Sequence, residues 1–167
     1  DILKLNSTIE QSLSFLGANQ IYGILLHNGS DIMIKGGEYI CDTLHSFKER
    51  GLVKKIGVSI YDSKNLDNVC TRLKPDIIQL PINVIDQRLI KDGTLEYLKK
   101  KGIEIHARSI FLQGLLLMSP SLIPPYFKPW INILNTWHQA CQDQKFNLLV
   151  GRELHSDGHT VMMCRNI

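Results

Sequence analysis

The chain has 167 residues, 44% apolar and 21% charged, the profile of one globular domain able to bury a core. No apolar run approaches the ~20 residues that span a bilayer, and no charged-then-apolar leader opens the chain. A net charge of +3, scattered along the sequence, is too weak to indicate a nucleic-acid surface.

The first element is a helix. Ser7-Thr8-Ile9-Glu10 has the spacing of a capping box, Ile9, Leu13 and Leu16 follow at helical intervals, and Gly17 stops it. Gln20 to His27 is then an almost unbroken apolar run closed by a polar residue, which suits a parallel strand buried on both faces. Ile40, Leu44 and Phe47 mark a helix ending near Gly51, and Lys55 to Ile60 reads as the second strand. Leu66, Val69, Cys70 and Leu73 stripe the next helix, with Asp62 or Ser63 as its cap. Asp76 to Leu80 is the third strand, which Pro81 helps to terminate. Asp92 can cap a helix from Thr94 to Lys101, released by Gly102, and Glu104 to Ser109 is the fourth strand. After a proline-containing loop, Trp130, Leu134, Trp137 and Cys141 share one helical face and are expected to pack against the sheet.

A helix followed by four strand–helix units predicts a parallel α/β fold. A doubly wound sheet and a (β/α)8 barrel both fit that rhythm. A whole barrel takes about 250 residues, so four units make about half of one and would leave open sheet edges. The chain opens on Asp1 with a helix signal close behind, as though cut from something longer. From about Gly151 the periodicity dissolves.

Ligands in parallel α/β folds gather at the carboxyl ends of the strands. Those ends are His27, Ser59, Gln79 and Arg108-Ser109, all polar after apolar strands. A neutral imidazole at position 27 can donate to a substrate carbonyl, and a hydroxyl and an amide at 59 and 79 match the donors and acceptors of a carboxamide. Ordinary strand-end hydrogen bonding would place the same residue types there.

Leu25-Leu26-His27, the segment Gly51 to Ser59, Ile78-Gln79-Leu80 and Ser109 to Leu115 together resemble the aldo-keto reductase family, in order and spacing, from about Ser7 to Asn147. The resemblance implies a (β/α)8 TIM barrel of which residues 1–147 are a part, with 148–167 an irregular or divergent tail. It also implies reduction of a small-molecule carbonyl substrate by hydride transfer from NADP(H) or NAD(H), in the cytoplasm. On that basis His27 orients the carbonyl, Ser59 and Gln79 hold the nicotinamide carboxamide, and Ser109, Gly114 and Leu115 approach the pyrophosphate. A glycine at 114 permits close backbone approach.

Two departures alter the contacts. Ile60 stands where the family usually has Asn, and Arg108 where it often has an aromatic residue stacked on the nicotinamide. A guanidinium plane can also stack, while a salt bridge or phosphate contact is the competing role. The family's proton-donating tyrosine, with its lysine and aspartate, belongs before the strand ending in His27. Tyr22 and Tyr39 stand in the wrong places to replace it. The segment gripping the adenosine 2′-phosphate belongs where the tail stops resembling the family, as a frame change or premature end near Leu148 would produce.

Cys41, Cys70, Cys141 and Cys164 form no C-x-x-C pair and read as free thiols in a reducing compartment. His155, His159 and Cys164 lack the further ligands of a metal site, and Lys48 to Lys55 and Lys99 to Lys101 read as solvated helix-end charge. A non-catalytic barrel that keeps cofactor binding, or a phosphate-binding barrel enzyme of another kind, would share this architecture.

Overall fold

The fold was obtained as a computed structural model in which residues 2–143 are described. The tail at 148–167, with His155, His159 and Cys164, lies outside the described residues.

Four parallel strands, β1 (Ile21–Leu26), β2 (Val53–Ser59), β3 (Ile77–Pro81) and β4 (Glu104–Arg108), form one sheet in sequence order. The connecting helices are α1 (Ile2–Leu16), α2 (Gly37–Glu49), α3 (Leu66–Leu73), the single turn α4 (Arg88–Lys91), α5 (Thr94–Lys100) and α6 (Ile131–Asp143). Sequential parallel neighbours with helical crossovers are the arrangement expected of repeated β–α units. Among the described residues β1 and β4 are edge strands with one neighbour each.

One face of the sheet carries the main core. Ile56, Val58, Ile78 and Leu80 pack with Leu44 and Phe47 of α2, Val69 and Leu73 of α3, and Leu98 of α5. On the other face small residues set the spacing. A Cβ on Gly57 would lie 2.2 Å from the Ile77 carbonyl oxygen, and one on Gly23 would lie 2.9 Å from the Ile77 Cδ1. A second, smaller cluster of Leu115, Leu116 and Leu134 holds α6 against the chain that follows β4. Trp137 fastens it by donating its indole N–H to the Leu116 carbonyl at 3.0 Å.

Several local expectations need correction. α1 begins at Ile2, not at Ser7, so the capping box does not form. The Ser7 and Thr8 hydroxyls instead donate to the Lys4 carbonyl inside the helix, at 2.9 and 2.8 Å. Neither Asp62 nor Ser63 caps α3 through its side chain: Asn65, in the left-handed region at φ 59°, takes the cap position. Gly93, at φ 82°, takes the cap position of α5 in place of Asp92, whose carboxylate accepts from the Thr94 N–H at 3.0 Å from one residue further back. Trp130 closes a 3-10 turn, Pro125–Trp130, and is 45% exposed, so it does not share the buried stripe of Leu134 and Cys141. The turn starts at Pro125, whose fixed φ suits a first helical position, and contains Pro129. Among the described residues no helix is long and apolar enough to cross a membrane.

Candidate functional site

The strand register brings three of the predicted residues to one level. Ser59 pairs with Gln79, and Gln79 with His106 on β4. Leu26 pairs with Val58, so His27, one residue further on, stands level with Ser59. The row His27–Ser59–Gln79 therefore crosses three adjacent strands at one level, just past the end of β1, at the end of β2 and midway along β3, which runs on to Pro81.

Ser59 is buried, and its hydroxyl donates to the Gln79 Oε1 at 3.4 Å. The half-buried Gln79 keeps its amide nitrogen without a partner among the described residues. The pair thus offers one free amide donor and one hydroxyl oxygen, the complement of a carboxamide. The His27 side chain is exposed and makes no hydrogen bond among the described residues.

Arg108 stands two residues beyond that row, on the same face of β4 as His106 and paired with Pro81. Its guanidinium carbon lies 4.1 Å from the centroid of the Tyr61 ring, and one terminal N–H donates to the Ile60 carbonyl at 3.4 Å. Its Nε is buried and has no acceptor among the described residues. Ile60 itself is buried in the main core while its N–H extends the ladder to the Gln79 carbonyl at 2.8 Å.

The loop after β4 turns through a run of left-handed residues: Ser109, Leu112, Gln113 and Gly114, with φ of 59°, 47°, 55° and 96°. At Gly114 that angle, more than crowding, favours glycine, since nothing lies within 4 Å of where a Cβ would stand. Ser109 is exposed, whereas the Leu115 side chain is committed to the smaller core, leaving only its backbone to face a ligand. Buried Asn83 braces this loop: its Oδ1 accepts from the Ile85 and Asp86 N–H groups at 2.9 and 2.8 Å, and its amide donates to the Ser109 carbonyl at 3.3 Å.

A model of the family described as the aldo/keto reductase family matches residues 4–140. The chain belongs to that family. Uncharacterized oxidoreductase YtbE of Bacillus subtilis (strain 168) is 30% identical over 118 residues, covering 70% of this chain and 40% of its own. Glycerol dehydrogenase AKR11B4 from Gluconobacter oxydans superposes with a TM-score of 0.68 at 18% identity, covering 89% of this chain and 49% of that one. The holo form of aldo-keto reductase AKR11C1 from Bacillus halodurans gives 0.60 at 18% identity, covering 70% of this chain and 38% of that one. The chain spans about 40% of the curated relative it matches. Its four strands and helices are thus part of an aldo/keto reductase barrel.

Three residues beside this candidate site carried no mark as site residues in the sequence reading. His106 alternates with Glu104 and Arg108 along β4, a period of two that was visible in the sequence and puts it in register with Gln79. Tyr61 and Asn83 sit in loops, where no periodicity marks them. Below the row lies a polar cluster: Glu104 accepts from Tyr22 at 2.7 Å, from Lys55 and from His106. Burial pushes the Glu104 carboxyl up, but those bonds outweigh it and bring it down to about 2. The same carboxylate raises Lys55.

Proposed function

We propose that this chain supplies the carbonyl-orienting and nicotinamide-holding part of an NAD(P)H-dependent carbonyl reductase. The observation that carries the reading is the Ser59–Gln79 hydrogen bond at one level with His27. When bound, the nicotinamide supplies the hydride. Gln79 would donate its free amide N–H to the carboxamide oxygen, and the Ser59 oxygen would accept from the carboxamide nitrogen, fixing which ring face meets the substrate. His27, exposed at the same level, would donate to the substrate carbonyl and hold it for attack. The backbone of Ser109, Gly114 and Leu115, braced by Asn83, would approach the pyrophosphate. The proton donor, a tyrosine with its lysine and aspartate, would come from a segment other than this one. Burial of the free thiols Cys41, Cys70 and Cys141 suits a reducing cytosol.

A second reading, a barrel that binds cofactor without turnover, is favoured by two departures. Ile60 spends its side chain on the core, and Tyr61 already covers one face of the Arg108 guanidinium. Titration of the chain with NADPH and NADH, alongside Ser59→Ala and Gln79→Leu, tests what both readings share. Each variant should weaken binding about tenfold, the effect of one lost buried hydrogen bond of this kind. Identical affinity in wild type and Gln79→Leu overturns the assignment of the pair. Turnover of an aldehyde by the whole protein then separates reductase from non-catalytic barrel.

A further inference from the structure

Ser109 in the loop after β4 is exposed, whereas the Leu112 and Leu115 side chains of the same loop pack into the smaller core. There they border a cavity of about 260 Å³ whose other walls are Ile85, Tyr126, Phe127 and Trp130. None of the six carries a charge. Tyr126 is 76% exposed and Trp130 45%, although each has a partly buried or buried apolar neighbour to pack on. Aromatic surface left open around a cavity is what a ligand groove presents.

The three rings frame the space rather than stack to fill it. Tyr126 stands edge-on to Phe127 at 5.2 Å, and Trp130 is tilted against both at 6.2 and 6.3 Å. The turn Pro125–Trp130, with a proline at its start and another inside, holds them in that arrangement. A dry apolar cavity of about 150 Å³ accepts benzene, so the larger space here suits one ring with a short substituent. Opposite the rings, Ile85 is tied to the loop after β4 through Asn83, which accepts from the Ile85 N–H and donates to the Ser109 carbonyl.

We propose that this cavity binds a small uncharged aromatic compound and thereby fixes the loop after β4 from its core side. Leu112, Gln113 and Gly114 hold left-handed backbone at φ 47°, 55° and 96°, and a leucine keeps such a conformation only while its surroundings impose it. A ring packed on Leu112 and Leu115 binds the loop arrangement that forms the cavity and no other. It therefore shifts the loop toward that arrangement. A consequence rests on the reductase reading, in which Ser109 to Leu115 approach the pyrophosphate: ring and cofactor each tighten the other by the same factor.

Chemical-shift titration of the full chain with toluene tests the site. The methyl signals of Ile85, Leu112 and Leu115 should move together. Tyr126→Ala and Trp130→Leu, both at exposed positions that folding tolerates, should each weaken toluene about threefold to tenfold. Toluene should also slow hydrogen exchange from Leu112 to Leu116, a readout that needs no cofactor, and should tighten NADPH about fivefold in wild type but not in Tyr126→Ala. No shift with toluene at its solubility limit overturns the proposal, as does binding that both variants leave unchanged, which places the ring elsewhere. Binding in the cavity with unaltered exchange overturns the hold on the loop. Failure of NADPH to bind at all removes the reductase reading, while slowed exchange that depends on Tyr126 leaves the ring site and its hold on the loop standing.

Discussion

Lys55 on β2 and Glu104 on β4 meet across the width of β3, joining two strands that share no backbone hydrogen bond. Tyr22 of β1 donates to the same carboxylate, and its ring stacks on His106 with 8° between the planes. One carboxylate thus links three strands on the face opposite the main core.

That linkage should be read out by acid. The Glu104 carboxyl titrates at about 2 when folded, against an ordinary value of 4.5. A depressed carboxylate contributes stability that is fully present above the unfolded value and lost as pH falls through the folded one. Unfolding free energy should therefore decline between pH 4.5 and about 2. Glu104→Gln should cost about 1–2 kcal/mol near neutral pH, after discounting for partial solvent screening, and should flatten that decline. Urea titrations across the acid range check both; an unchanged acid slope in the variant would assign the loss to other carboxylates.

Two glycines should respond differently to the same added methyl group. Gly57→Ala places a Cβ 2.2 Å from the Ile77 carbonyl oxygen, which is backbone in the centre of the sheet and cannot step aside. The expected cost is about 3 kcal/mol or more. Gly114→Ala meets open space, so its cost comes from φ of 96° alone, about 1–3 kcal/mol. The Gly57 variant should lose the cooperative melt, and the Gly114 variant should keep it with a lowered midpoint.

The strands and their order were legible because β1 and β3 are apolar stretches, β2 ends in one and β4 alternates apolar with polar residues, and all four appear within two residues of their predicted ends. His27, Ser59 and Gln79 were singled out as polar residues closing apolar strands, whereas their common level is a matter of register, which a single strand's sequence does not carry. The caps were less legible. Ser7 and Thr8 look like a cap in sequence, yet the helix continues through them because the apolar stripe extends back to Leu5, which packs on the main core. The surroundings of Arg108 were not legible at all. They depend on Tyr61, which comes from a loop 47 residues away.

Trp137 offers a clean measure of how firmly α6 is held. Its indole N–H reaches the Leu116 carbonyl at 3.0 Å while its ring packs against the smaller core. Trp137→Phe keeps much of the apolar contact and removes the donor, so it should cost about 1–2 kcal/mol. Hydrogen exchange should rise in α6 and at Leu116 with little change in β1 to β3. A uniform rise would mean instead that α6 and the sheet unfold as one unit.

Asn83 couples the loop after β3 to the loop proposed to face the cofactor. Replacing it by Ala removes acceptors for the Ile85 and Asp86 N–H groups and the donor to the Ser109 carbonyl at one stroke. Because Asn83 is 7% exposed, water cannot readily substitute at all three positions, and the expected cost is about 1–3 kcal/mol. The functional consequence should exceed the thermodynamic one. Ser109 holds a left-handed backbone at φ 59°, a conformation that persists only while its neighbours impose it. Asn83→Ala should therefore raise hydrogen exchange from Ser109 to Leu115 and weaken NADPH, while Ser59→Ala weakens NADPH without altering exchange in that loop. Asn83→Asp keeps the two acceptor bonds and loses only the donor to Ser109, so it separates loop bracing from turn capping. If NADPH affinity survives Asn83→Ala with the loop visibly loosened, the pyrophosphate contacts lie elsewhere than in Ser109 to Leu115.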